Sequence, residues 1–200
     1  LTSELTSAPR SLGAALLLLG GCSATTTEEG LSVDVQVGGH SAPAALEGAW
    51  IGLRSVELVP CAVAWRPVDL LLGRPARADH SLDTPTAALF STSTELTGGG
   101  ARASVQPPPG DYCYARFTVE PQDEGQAHEQ ASVSAELEGT LVTTDRVAWL
   151  DQPITLSLSK AQPTATLRLD FDLSGWADAA AAGPDTLFET AREHVSLTQD

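Results

Sequence analysis

Alternation at a period of two is the feature that most narrows what this chain can fold into. Leu31, Val33, Val35 and Val37 interleave with Ser32, Asp34 and Gln36, and Cys113, Ala115, Phe117 and Val119 interleave with Tyr114, Arg116 and Thr118. The same pattern runs through Ala131, Val133, Ala135 and Leu137, through Ile154, Leu156 and Leu158, and through Ala165, Leu167, Leu169, Phe171 and Leu173. Successive strand side chains point to opposite faces, so each run marks a strand with one face in a core and one in water. Residues 50–59, 62–72 and 147–150 predict further strands, and turn-rich stretches at 98–100, 107–110 and 120–125 separate them. About eight short strands point to a mostly β fold. The expected form is a single antiparallel β-sandwich spanning 31–200. Only the end departs from the pattern. Ser174 is placed to cap a short Ala-rich helix, and Pro184 suits the first turn of a second with an apolar stripe of Leu187, Phe188, Ala191 and Val195. A short C-terminal helical segment is therefore expected on the sandwich.

Charge removes one class of partner. The chain carries 26 acidic residues against 11 basic ones, for a net charge of −15, and its bases are ten arginines and Lys160 with no basic run. Nucleic-acid binding gains affinity by placing Lys and Arg on phosphates, which this composition opposes. With 42% hydrophobic residues, the chain is too apolar for a disordered acidic tail.

Residues 1–21 read as an address. Arg10 precedes an apolar run, Leu12 to Leu19, which ends in Gly20, Gly21 and Cys22. A short apolar segment behind a positive residue and ahead of small ones is the pattern of a signal peptide. The ending Leu19-Gly20-Gly21-Cys22 resembles the lipobox of bacterial lipoproteins. That resemblance implies cleavage before Cys22, a diacylglyceryl group on its thiol and an acylated new amino terminus. Ser23 after the cysteine is similar to the outer-membrane sorting pattern. The alternatives are an ordinary secretory signal or an N-terminal helix packed on the domain. Residues 22–30 are small and polar, as a flexible tether requires. The expected location is the cell envelope, lipid-anchored, at an outer membrane and facing the periplasm or the cell surface. Removal of residues 1–21 takes away Glu4 and Arg10 and leaves the charge at −15. Contact with an anionic bilayer should then come through the lipid on Cys22 alone.

If lipid consumes Cys22, two cysteines remain in an oxidising compartment, Cys61 and Cys113. They pair as a disulfide or stay as two separate buried thiols. Around Cys113, the stretch Pro107-Pro-Pro-Gly110-Asp-Tyr112-Cys113-Tyr114-Ala-Arg116 supplies Pro109-Gly110 for a type II turn and then launches a strand. It resembles the Pro-Gly-x-Tyr hairpin start of secreted prealbumin-like β-sandwich domains. It is also similar to a bacterial lipoprotein domain family with a Gly-x-Tyr-x-x-Arg stretch, through Gly110, Tyr112 and, one residue late, Arg116. Tyr112 is expected to pack and close a turn rather than to act chemically.

Catalytic patterns do not appear. Gly39-His40-Ser41-Ala42 lacks the closing glycine of a nucleophile elbow, and His128-Glu129 has Ser132 where a second zinc-ligating histidine would stand. No enzyme activity and no cofactor are expected. The best cation candidates combine His80 with Asp79 and Asp83, or His128 with Asp123, Glu124 and Glu129. Asp170 and Asp172 share the solvent face of one strand, where a hard cation such as Ca²⁺ is a further option. The ending Leu169-Asp-Phe-Asp-Leu173-Ser-Gly-Trp176 resembles that of copper-handling periplasmic β-sandwich proteins that partner di-haem peroxidase-like proteins. That family carries four cysteines in its mature chain and this one two besides Cys22, so the resemblance implies only the fold. The leading expectation is an envelope protein with a binding or surface-assembly role toward a protein, polysaccharide or small ligand. Periplasmic handling of copper or another cation is the alternative. Replacing Cys22→Ala should move the protein from the membrane pellet to the soluble fraction. Fractionation of cells expressing both forms checks this, and a mutant that still pellets would remove the anchor.

Overall fold

Apolar alternation builds strands over most of the chain. The computed structural model describes residues 30–61, 86–90, 93–123 and 128–200. Among them run β1 (Ser32–His40), β2 (Leu46–Ile51), β3 (Leu53–Pro60), β4 (Ala87–Leu89), β5 (Thr94–Glu95), β6 (Ala101–Val105), β7 (Gly110–Val119), β8 (Val133–Leu137), β9 (Thr140–Thr144), β10 (Ala148–Leu158), β11 (Thr164–Asp172), α1 (Trp176–Ala182), α2 (Pro184–Glu193) and β12 (Val195–Gln199). The fold is mostly β. Three four-stranded sheets form, in the orders β12-β11-β1-β6, β10-β7-β3-β4 and β5-β2-β8-β9. Their inner faces share one hydrophobic cluster. Val33, Val35 and Leu167 come from the first sheet, Val56, Leu58 and Phe117 from the second, and Ile51 and Val133 from the third. Trp176, Leu187 and Phe188 add the helices to the same cluster.

Three departures from the expected strand plan have clear causes. The first sheet is not wholly antiparallel, because β1 and β11 run parallel from Ser32↔Thr164 to His40↔Asp172. Alternation reports which face is buried but not strand direction, so this pairing left no mark in the pattern. The 50–59 run is two strands, broken at Gly52. There the amide donates to the Ser132 carbonyl and the carbonyl accepts from the Glu120 amide, so the chain leaves the third sheet and enters the second. A Cβ at Gly52 would collide with the Glu120 carbonyl oxygen, so only glycine fits this crossing. The opposite happens in β10, where two predicted segments merge into one strand through Pro153, with a register shift between Pro153 and Leu156. β10 lies at a sheet edge, where a residue without an amide donor is tolerated. The 62–72 segment lies outside the described residues.

The turns also differ in detail. Gly110 does not take a positive φ and already belongs to β7, so Pro109-Gly110 does not form the type II turn. Tyr112 closes this region instead. Its ring is 2% exposed, its hydroxyl donates to the Pro108 carbonyl at 2.7 Å, and burial pushes its pKa up. Between β8 and β9, Glu138 and Gly139 both have positive φ, at 48° and 69°, as a two-residue type I′ hairpin requires. Ser174 does not cap α1. Gly175 occupies that position, and the Ser174 amide is held by Asp172 Oδ1 at 3.0 Å. Pro184 does open α2, but Val195 leaves the helix and begins β12 on the edge of the first sheet.

The cysteines are joined. Cys61 and Cys113 form a disulfide with their Cα atoms 4.8 Å apart and a sequence separation of 52. Next to it, the Cys61 amide donates to the Asp111 carbonyl, so bridge and ladder secure the same end of the β3–β7 pair. Closing a loop of this length stabilises the fold by about 4 kcal/mol in the chain-entropy treatment. The Cys61→Ala/Cys113→Ala double variant should therefore melt about 8–16 °C lower than the oxidised parent. Thermal melts with and without reductant check this, and reductant should leave the double variant unchanged.

Candidate functional site

The outward face of the β10-β7-β3-β4 sheet can be read row by row from its register. Trp149, the buried Thr118, Ser55 and Leu89 make one row, Asp151, Arg116, Glu57 and Ala87 the next, and Pro153, Tyr114 and Val59 the third. Trp149 is 63% exposed, Tyr114 41% and Leu89 47%, whereas Leu150, Phe117 and Val56 on the opposite face are buried. The strands thus hold two aromatic rings out in water because their neighbours are fixed in the core. Four residues separate the Trp149 and Pro153 rows, which is about 13 Å along a strand.

Between the rings lies a satisfied ion pair. Arg116 reaches Asp151 in a fork, Nε to Oδ1 at 2.7 Å and Nη2 to Oδ2 at 3.0 Å. That hydrogen bonding raises the guanidinium above its ordinary pKa against an opposing desolvation, with Asp151 and Glu57 adding charge attraction. Arg54, at the register shift in β3, pairs with Asp123 at 2.8 Å. The patch therefore offers ring faces bordered by paired polar groups. Such a surface can stack and hydrogen-bond.

A second aromatic feature lies on the third sheet. Trp50 stacks with His128 at 4.0 Å between ring centroids and 31° between planes. The Trp50 ring lies over Gly48, where any Cβ would strike it. His128 adopts a positive φ of 59°. Desolvation holds its imidazole below the ordinary value, opposed by the charges of Glu136 and Glu95.

The cation candidates fare differently from one another. Asp123 is committed to Arg54 and His128 to Trp50. His80, Asp79, Asp83 and Glu124 lie outside the described residues, as does Cys22. Asp170 sits 3.9 Å from Arg168. Asp172 instead meets two histidines that the sequence leaves far apart. His40 is its register partner in β1, and its amide donates to the His194 carbonyl. Hydrogen bonds from the Ser174 amide and hydroxyl, then the charges of His40 and His194, pull the Asp172 carboxyl below its usual range. Among the described residues, no group of three or more His, Cys, Asp or Glu side chains is arranged to hold a metal ion.

No protein-family model, curated protein or solved structure matches this chain. Among the described residues, no helix is long and apolar enough to cross a membrane. Sequence alternation placed Tyr114 and Arg116 outward but held no sign that Trp149 shares their face, because register is a property of the pairing.

The His128 environment carries a pH dependence of known sign. A pKa held below 6.5 means that the folded state binds fewer protons than the unfolded one. Its stabilising contribution is complete above pH about 6.5 and is lost as pH falls from there through the lower folded value. The His128→Asn variant, whose side chain tolerates positive φ, should show a shallower loss of stability than the parent between pH 7.5 and 5. Denaturant melts across that range check it.

Proposed function

We propose that this chain is a lipid-tethered, non-enzymatic binding protein of the cell envelope, built on a sandwich-like β domain. Its ligand face is the outer surface of the β10-β7-β3-β4 sheet, and its ligand is an uncharged polysaccharide. The observation that carries this is the exposure of Trp149 and Tyr114 on one regular sheet face, either side of the Arg116–Asp151 fork. Flat rings stack on the apolar faces of sugar rings, and the paired polar groups between them suit hydroxyls.

Charge supports an uncharged ligand. Arg116 is already satisfied by Asp151 and faces Glu57, so among the described residues the patch has no cation to spare for an acidic polymer. A protein partner fits less well, because specific interfaces bury about 800 Å² on each side. Here a charged row divides the apolar residues. The Leu19-Gly20-Gly21-Cys22 sequence and the small polar stretch after it support the tether.

The test uses the full chain carrying Cys22→Ala, run through native gels that contain neutral glucan, mannan or xylan. At least one polysaccharide should retard the parent. Trp149→Ala should weaken association about tenfold while leaving the melting temperature unchanged. Equal mobility in every gel would remove this ligand class.

A further inference from the structure

The open face of the first sheet has a different chemistry. One register row runs Thr198, Arg168, Gln36 and Arg102 across β12, β11, β1 and β6. Arg168 and Arg102 stand two strands apart, about 10 Å between backbones, with the Gln36 amide between them. The next position of β1 is Gly38, where an added Cβ would find its nearest neighbour, Asp170 Oδ1, only at 4.0 Å. A groove of about 300 Å³ opens there, between Arg168 and Asp170 on one side and the glycine-rich turn 96–102 on the other. The turn can lie this close because Gly100 takes a φ of +66° directly over the Val37 carbonyl, where a side chain would collide.

Arg102 is the unusual member. Among the described residues, Arg54, Arg116, Arg146, Arg168 and Arg192 all have a carboxylate within 4.0 Å. Arg102 has no ion pair or hydrogen bond among the described residues, in a chain of net charge −15. Arg168 is only loosely engaged, since its 3.9 Å separation from Asp170 is too long for a hydrogen bond. Two guanidiniums with free donors therefore border one groove whose floor has no side chain.

We propose that this groove binds a phosphoryl group, held between Arg102 and Arg168 above Gly38 with the Gln36 amide as a further donor. A carboxylate has only two oxygens, both in one plane, and one bidentate arginine can engage the pair, as Arg116 does with Asp151. A phosphoryl group presents oxygens in several directions and accepts from two guanidiniums at once. The acidity of the rest of the chain does not oppose this strongly, because at physiological salt charges beyond about 8 Å are largely screened. Asp170 is the nearby exception, and it disfavours anions that the arginines do not fully grip.

The experiment titrates the full chain carrying Cys22→Ala with inorganic phosphate, glycerol phosphate and acetate, followed by amide NMR shifts and calorimetry. Both phosphates should shift the amides of Gly38 and of residues 98–100, and acetate should bind at least about tenfold more weakly. The stronger of the two phosphates tells whether the group is taken free or as an ester. Arg102→Ala should weaken phosphate binding about tenfold or more, whereas Asp170→Asn should tighten it. Gly38→Val, which fits the strand and fills the groove, should abolish binding with the melting temperature retained. Absence of shifts at Gly38, acetate binding as well as phosphate, or an unchanged affinity in Arg102→Ala at wild-type melting temperature would overturn the proposal.

Discussion

The hold on β7 is the interaction on which the rest of this structure depends. β7 pairs with β3 on one side and β10 on the other, and its inward residues Tyr112, Ala115 and Phe117 enter the common core. Its beginning is secured by the Tyr112–Pro108 hydrogen bond and by the bridge from Cys113 to Cys61. Register shifts occur on both neighbours at this same level, between Val59 and Pro60 and between Pro153 and Leu156. The irregularity lets Tyr112 point into the core while Tyr114, two residues on, points into water. A regular strand would have sent both tyrosines to one side.

The two open sheet faces share one construction and differ in what they leave unpaired. On the second sheet the central cation is matched by Asp151, and what remains available is aromatic surface. On the first sheet there is no exposed aromatic row, and what remains available is positive charge around a glycine floor. Each face stays in place because alternate residues are buried, so the exposed side chains start from fixed Cα positions. That is the physical advantage of presenting a ligand surface on strands rather than on loops.

How much of this the sequence discloses depends on the kind of information. Burial of one face is local and chemical, so Val33, Val35 and Val37 or Leu167, Leu169 and Phe171 announce their strands plainly. Pairing is non-local, and no residue states that β1 lies beside β11 in parallel. Residues 195–199 are a short edge strand with two apolar alternates, Val195 and Leu197, too brief to separate from a helix ending at Glu193. The disulfide was one of two readings open from sequence, beside separate thiols, because setting Cys22 aside as the expected lipid site left Cys61 and Cys113 to pair. The candidate faces were not legible as sites, since Trp149, Arg116 and Tyr114, or Arg102 and Arg168, meet only through register. His40, Asp172 and His194 make the same point, brought to one end of a sheet from three distant parts of the chain.

The parallel pairing of β1 and β11 also gives the domain a vertical axis. Ser32 stands beside Thr164, and the Asp200 amide and carbonyl bond to Thr166, so both ends of the described chain emerge at one pole of the first sheet. β1 then climbs eight residue steps, about 26 Å, to His40 at the other pole. Nine residues lie between Cys22 and Ser32, so a lipid on Cys22, as proposed, would attach the domain through the Ser32 pole, the end opposite His40 and His194. With that pole nearest the bilayer, strands β1 and β11 would stand like posts, and the open face of the first sheet would look sideways, along the membrane rather than into it.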